Sequence, residues 1–203
     1  MGAVPQSLCL TCGICCDGTL FSNVFLKPDD DITVLETIGV TIVSDREFNI
    51  LKLPCAAHKG ACVAYQHRPQ RCREYKCELL KRFERYDISY EDALRIITKA
   101  ICLRNEFKAS ALAALINAPK NEIALRVHRW LADLDSIVEI KHSFPRVFLK
   151  FITLQLYLDR FFRRRPAAKA VIKYGLRSPI ARPMTLAILL WKLVLQLNQR
   201  NRS

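Results

Sequence analysis

Eight cysteines fall within the first 77 residues of this 203-residue chain, in three spaced groups. They read Cys9-x2-Cys12-x2-Cys15-Cys16, then Cys55-x6-Cys62 behind Pro54, then Cys72-x4-Cys77. Two-residue gaps let neighbouring thiolates converge on one centre around a tight turn, which is the spacing logic of zinc knuckles and of iron–sulfur loops. The Cys9, Cys12, Cys15 run has the form of a ferredoxin-like loop, in which a remote cysteine completes the cluster. Cys16 follows Cys15 directly. Adjacent side chains diverge, so these two serve different centres or one of them is not a ligand. Eight thiols divide naturally into two sets of four, as one iron–sulfur cluster plus a tetrahedral site or as two sites of one kind. Spacing leaves the assignment of thiols to sets open. Thiolates suit both zinc and iron–sulfur clusters, and ligand number and spacing put iron–sulfur slightly ahead.

Other residue types around these thiols could share in the chemistry. His58 and His67 lie between the later cysteines and could substitute as ligands, although a loop histidine is more often simply exposed. Arg68, Arg71 and Arg73 crowd around Cys72, where they either lower thiol pKa values or serve as plain surface charge. Tyr65 and Tyr75 are expected to pack over the site or to cap a small core. The ninth cysteine, Cys102, sits beside Ile101 in a helical pattern and reads as a small core hydrophobe.

The elements that must position these residues fall into two parts: a cysteine-rich domain over residues 1–80 and a basic helical region over 81–203. The expected class is mainly α, a small metal-binding domain of short helices and strands followed by about four helices. Lys27-Pro28-Asp29-Asp30-Asp31 predicts a helix start, with acids at the positive dipole end, and Gly39 a stop after about Ile38. Val40 to Val43 and Phe48 to Leu53 predict short strands. Ser89-Tyr90-Glu91-Asp92 has capping-box form and opens a helix to about Ile116. A second helix is expected near Lys120 to Val138, and a third from Ser143-Phe144-Pro145 to about Phe162. A basic connector, Arg163 to Pro183, then leads to a last helix at Met184 to Leu197.

Composition narrows the classes. A hydrophobic content of 51% excludes a disordered chain. Residues 1–77 carry eight Lys/Arg and eight Asp/Glu, and residues 78–203 carry 24 against 11, so the part of the chain after Cys77 holds the entire excess of +13. Ligating cysteines are thiolates, so metal would make the first part negative and sharpen that contrast. Met1 to Leu10 has neither a basic n-region nor an apolar run of signal-peptide length, and Gln6 breaks a myristoylation pattern. The reducing cytoplasm is the expected compartment, where clustered thiols hold metal more often than they form disulfides. Met184 to Leu197 would reach only about 21 Å as a helix, short of a hydrocarbon core about 30 Å thick. That helix and the third are expected to pack together as core. Peripheral attachment to an anionic membrane is the other reading, because Arg163-Arg164-Arg165 follows Phe161 and Phe162.

The order and type of these residues resemble the YkgJ-type cysteine-cluster family, described as a zinc- or iron-chelating domain. The family pattern is C-x2-C-x2-C-C, then Pro-Cys, then a cysteine, an aromatic and Arg-Pro leading to C-R-x-aromatic-x-C. It is met by Cys9 to Cys16, by Pro54-Cys55, and by Cys62, Tyr65, Arg68-Pro69, Cys72-Arg73, Tyr75 and Cys77. The resemblance covers residues 9–77 and implies a metal-binding domain. Some relatives are linked to flagellin lysine N-methylation with iron–sulfur chemistry, an activity that cannot be carried over residue by residue. The six glycines form no S-adenosylmethionine or nucleotide loop.

The functional expectation is therefore a metal-binding protein holding an iron–sulfur cluster or zinc through Cys9, Cys12, Cys15, Cys16, Cys55, Cys62, Cys72 and Cys77. Its role would lie in redox sensing, electron transfer or metal handling. One alternative is an iron–sulfur-dependent protein-modifying enzyme, recognisable by an open coordination position. Another is a basic module with a structural metal site, binding nucleic acid or an anionic membrane surface. A protein partner is compatible with each of these.

Overall fold

The computed structural model describes residues 5–45, 48–115 and 143–164, together with Val127 and Trp130. Among the described residues there are six α-helices and one three-stranded sheet, a mainly α arrangement. The compact unit that contains them runs from Met1 to Pro166, so residue 80 lies inside it.

The first helix, α1 (Pro5–Cys12), carries Cys9 and Cys12 and packs against α4 and α5. Its periodicity is hidden by the cysteines, and it was not expected. Strand β1 (Asn23–Phe25) is also additional to the expected elements. Helix α2 (Ile32–Thr37) begins later than the Lys27 to Asp31 acids suggest, with Asp31 as its N-cap accepting from Val34 N at 3.0 Å. The two other acids precede the helix, and Asp30 bonds elsewhere. Gly39, at φ +87°, ends the segment in the left-handed region that a glycine adopts without strain.

Strands β2 (Ile42–Asp45) and β3 (Phe48–Lys52) match the expected strand segments to within a few residues. β3 lies between β1 and β2 and is antiparallel to both, with Val24 opposite Leu51 and Ile42 opposite Leu51. This sheet and α2 enclose a small core of Leu26, Leu35, Val40, Leu51, Leu53, Ala57 and Ala64. Cys55 and Cys62 pack against its edge. The Leu53–Pro54 peptide bond that leads into Cys55 is cis.

A 3-10 turn (Tyr65–His67) leads to α3 (Gln70–Glu74), which carries Cys72, and then to α4 (Glu78–Glu84), which Cys77 caps. The longest element is α5 (Tyr90–Ala114), opened by Ser89 accepting from Asp92 N at 3.0 Å, as the capping-box pattern predicts. Helix α6 (Pro145–Phe161) starts with Pro145 in its first turn. α5 and α6 form the second core. Ala93, Ile97, Ala100, Leu103, Phe107 and Ala111 face Val147, Phe148, Phe151, Leu154 and Leu158, and the Phe107 and Phe151 rings lie 5.7 Å apart. Tyr157 Oη donates to Ile96 O at 3.3 Å across the same seam.

Cys102 corrects an expectation. It is exposed, and its Sγ lies 3.4 Å from Glu106 Oε1. The buried stripe of α5 runs through Ala100, Leu103 and Phe107, and position 102 turns to the opposite side. Its neighbour Ile101 is only half-buried. The helix expected near Lys120 to Val138 lies outside the described residues, except that Val127 and Trp130 are helical and buried. The connector beyond Arg164 and the helix at Met184 to Leu197 also lie outside them, and so does the expected pairing of that helix with α6. Among the described residues no helix is long and apolar enough to cross a membrane.

Phe107 has no exposed surface. Replacing it with Ala removes the ring at the centre of the α5–α6 seam, and should cost about 3–5 kcal/mol of unfolding free energy in a denaturant titration.

Candidate metal centre

All nine cysteines are free. The eight in the first 77 residues reach their places by different routes. Cys9 and Cys12 lie on α1, one turn apart. After Cys12 the chain reverses at Gly13, φ +62°, whose carbonyl accepts from both Cys16 N at 2.9 Å and Asp17 N at 3.0 Å. This turn places Cys15 and Cys16 in succession. Cys55 N donates to Cys16 O at 2.7 Å, which fixes the second cysteine segment against the first. Cys55 and Cys62 are then held near each other by a short hairpin-like closure, with His58 and Cys62 forming an isolated bridge.

Cys72 comes from α3. That helix is fastened at its start by Gln70 N donating to Asp30 Oδ1 at 2.7 Å, while Asp30 Oδ2 accepts from Lys27 N at 2.8 Å. Cys77 is the N-cap of α4, and its sulfur accepts from Leu80 N at 3.4 Å. Glu78 N donates to Phe162 O at 3.1 Å, tying this corner to the end of α6.

The charged neighbours of six thiols sort the eight, Cys62 and Cys77 included, into two groups. Burial pushes Cys12 up to about 12, with the Ile14 N–H opposing it and the charges of Cys77, Cys9 and Asp17 adding to it. Burial also raises Cys15 well above its ordinary value, and Cys77 and Cys12 are its strongest charged neighbours, ahead of the adjacent Cys16 and of Cys9. Cys9 is open to solvent on one side yet is raised as well, by desolvation first and by Cys77 second. Cys77 is raised by burial, with the N–H groups at the start of α4 working the other way. Cys9, Cys12, Cys15 and Cys77 thus form a first set.

Cys16 is pushed up to about 12 by burial and by Cys62, Cys55 and Cys72. Cys72 is pushed up to about 11 by burial and by Cys55 and Cys62, with Arg68 opposing. Cys55 is raised by burial and by Cys62, with N–H groups of Ala57 and His58 opposing. Cys16, Cys55, Cys62 and Cys72 form the second set. Apart from Cys15 and Cys16, which share the Gly13 turn, the first set stands on α1 and at the start of α4, and the second against the β core and on α3. As placed, no three His, Cys, Asp or Glu side chains among the described residues enclose an ion. The donor chemistry nevertheless fits a thiophilic metal: eight unpaired thiols in two sets of four, with backbone N–H groups aimed at Cys12, Cys55 and Cys77.

Of the three arginines around Cys72, Arg68 lowers the pKa of Cys9 in the first set and of Cys72 in the second. It is held by its Nε donating to Tyr65 O at 3.0 Å and by its guanidinium lying 3.5 Å from the Tyr65 ring centre. Arg71 and Arg73 are exposed. Tyr75 packs edge-on against Phe21, with ring centres 4.9 Å apart. Burial raises its phenol strongly, and the neighbouring Cys15 and Cys77 raise it further. His67 is exposed at the end of its 3-10 turn.

Asp17 was not singled out by its residue type or spacing. It follows Cys16 and pairs with Arg104 of α5, the two side chains being only 12% and 16% exposed. A second oxygen, Asp17 Oδ1, accepts from Thr19 N at 2.9 Å. The cysteine loop is thereby bolted to the helical layer by a contact spanning 87 residues. No family model matches the chain, and no curated protein or solved structure matches it either.

Arg104→Ala leaves the Asp17 carboxylate without its counter-charge and should cost about 2 kcal/mol in thermal or chemical unfolding, below the range for fully buried pairs because both groups keep some solvent. A pH dependence follows from the thiols. Their pKa values lie higher in the folded chain than the ordinary 9.0, so the fold holds these protons more tightly than the unfolded chain does. That contribution is whole below pH 9 and is lost as pH rises through 9 toward 11–12, by at most about 1.4 kcal/mol per thiol per pH unit. Melting temperature of chelator-treated, reduced protein should therefore fall over that window, whereas metal binding should release protons and tighten as pH rises from 6 to 8.

Proposed function

We propose that this chain is a metal-binding cysteine-cluster protein of the YkgJ type, holding an iron–sulfur cluster or zinc at two four-thiolate centres. The observation that carries the reading is the separation of eight free thiols into two sets of four by their charged neighbours. Cys9, Cys12, Cys15 and Cys77 would hold the first centre, and Cys16, Cys55, Cys62 and Cys72 the second. Four thiolates close a tetrahedral coordination sphere, which favours electron transfer, redox sensing or metal handling over a reaction at an open metal position. Backbone N–H groups directed at sulfur stabilise thiolate charge and tune whatever metal is bound. Burial of the thiols works against their ionisation without metal, so the metal replaces the protons and supplies the compensating charge.

Protein purified without oxygen should carry metal at both centres. Cys12→Ser should lose the first centre and keep the second, Cys72→Ser should do the reverse, and Cys102→Ser should lose neither. Iron with acid-labile sulfide and broad visible absorption identifies an iron–sulfur protein. Zinc alone, persisting when cells grow in excess iron, identifies a structural or metal-handling site. Unchanged metal content in both the Cys12 and Cys72 variants would sink the reading.

A further inference from the structure

Among the described residues, three buried side-chain polar atoms have no hydrogen-bond partner: Thr19 Oγ1, Gln155 Nε2 and His58 Nε2. Buried polar atoms are nearly always satisfied, so each asks for a reason. Gln155 is engaged through its other end, where Oε1 accepts from Arg163 at 2.7 Å. His58 is placed differently, because it spans the two thiol sets.

Its backbone belongs to the second set. His58 N donates to Cys55 O at 3.0 Å, and the residue pairs with Cys62 across an isolated bridge. Its ring belongs to the first. The imidazole lies against Gly13, inside the Cys12 to Cys15 loop, so closely that a Cβ at Gly13 would fall 2.2 Å from Nε2 and 2.5 Å from Cε1. Gly13 thus has two reasons to lack a side chain: its left-handed backbone and the histidine seated upon it. A plain packing residue would fill this seat without a nitrogen, and the nitrogen present is buried and unmatched.

We propose that His58 is a positioning residue of the first centre, anchored in the loop of the second and offering its Nε2–H as a hydrogen-bond donor to metal-bound sulfur of the Cys12 to Cys15 loop. Thiolates bound to metal accept such bonds, and donors of this kind hold the ligand in orientation and offset its charge. The same imidazole would make the first centre responsive to how the Cys55 to Cys62 loop is held. This inference rests on the reading of the chain as a metal protein.

The test compares wild type with His58→Leu, His58→Phe and His58→Gln, each loaded with metal under anaerobic conditions and then exposed to a competing chelator. Leu and Phe keep an apolar group on Gly13 without a donor, and Gln restores an N–H. With Leu or Phe, the first centre, identified as the one lost in Cys12→Ser, should release its metal about ten- to hundredfold faster while the second keeps its wild-type rate. Gln should return the fast phase toward wild type. Unchanged release in both apolar variants, acceleration of both centres together, or a Gln variant that behaves like Leu would overturn the proposal. Wild-type protein that holds no metal defeats the metal-protein reading itself. Wild type that holds metal at both centres beside indifferent His58 variants defeats only the role of His58.

Discussion

Eight thiols crowded into the space of a few short elements impose one electrostatic constraint. Removing each from water disfavours its thiolate, and every neighbour that ionises disfavours the next. The raised pKa values of Cys12, Cys16 and Cys72 express both effects, with desolvation the larger in each. Few local features oppose them: backbone N–H groups near Cys12, Cys55 and Cys77, and the guanidinium of Arg68. These are too few to carry eight negative charges, so in the absence of further positive charge the thiols with raised pKa values keep their protons near neutral pH.

The scaffold answers the same constraint by spreading the thiols over two supports. Cys9 and Cys12 stand on α1, and Cys77 caps α4. Cys55 and Cys62 lean on the small β core, and Cys72 rides on α3, fixed to the α2 approach through Asp30. Between the supports run a few specific ties: Cys55 N to Cys16 O, the His58 ring on Gly13, and Arg68 acting on one thiol of each set. The Asp17–Arg104 pair then joins the cysteine loop to α5, whose other contacts make a conventional apolar seam with α6. The helical layer therefore works as a plate against which the thiol loops are held.

Periodicity served well where burial follows a regular stripe. α5 and α6 lie within two residues of their expected ends, because their apolar spacing and caps agree. It failed where cysteines occupy the positions that apolar residues would take. α1 carries Cys9 and Cys12 on a short helix with little apolar pattern, and α4 is only seven residues long. Cys102 shows the reverse error: an apolar neighbour in sequence is no guide to the face a helical residue occupies, since each step turns it by about 100°.

By itself the sequence determined that the thiols are clustered and that the longest helices carry core stripes. These follow from local rules: close spacing of like residues, helical period, and the helix-start residues Ser89 and Pro145. Only the tertiary structure decided that Cys77 joins Cys9, Cys12 and Cys15 while Cys16 joins Cys55, Cys62 and Cys72. It also decided that Asp17 meets Arg104, that His58 sits on Gly13, and that the arginine bearing on Cys9 and Cys72 is Arg68. Each of these joins groups separated by tens of residues, apart from the choice of arginine, which depends on the turn that stacks Arg68 on Tyr65. Spacing cannot encode such meetings, because the chain between the partners can close in many ways, and packing of the two cores selects one of them.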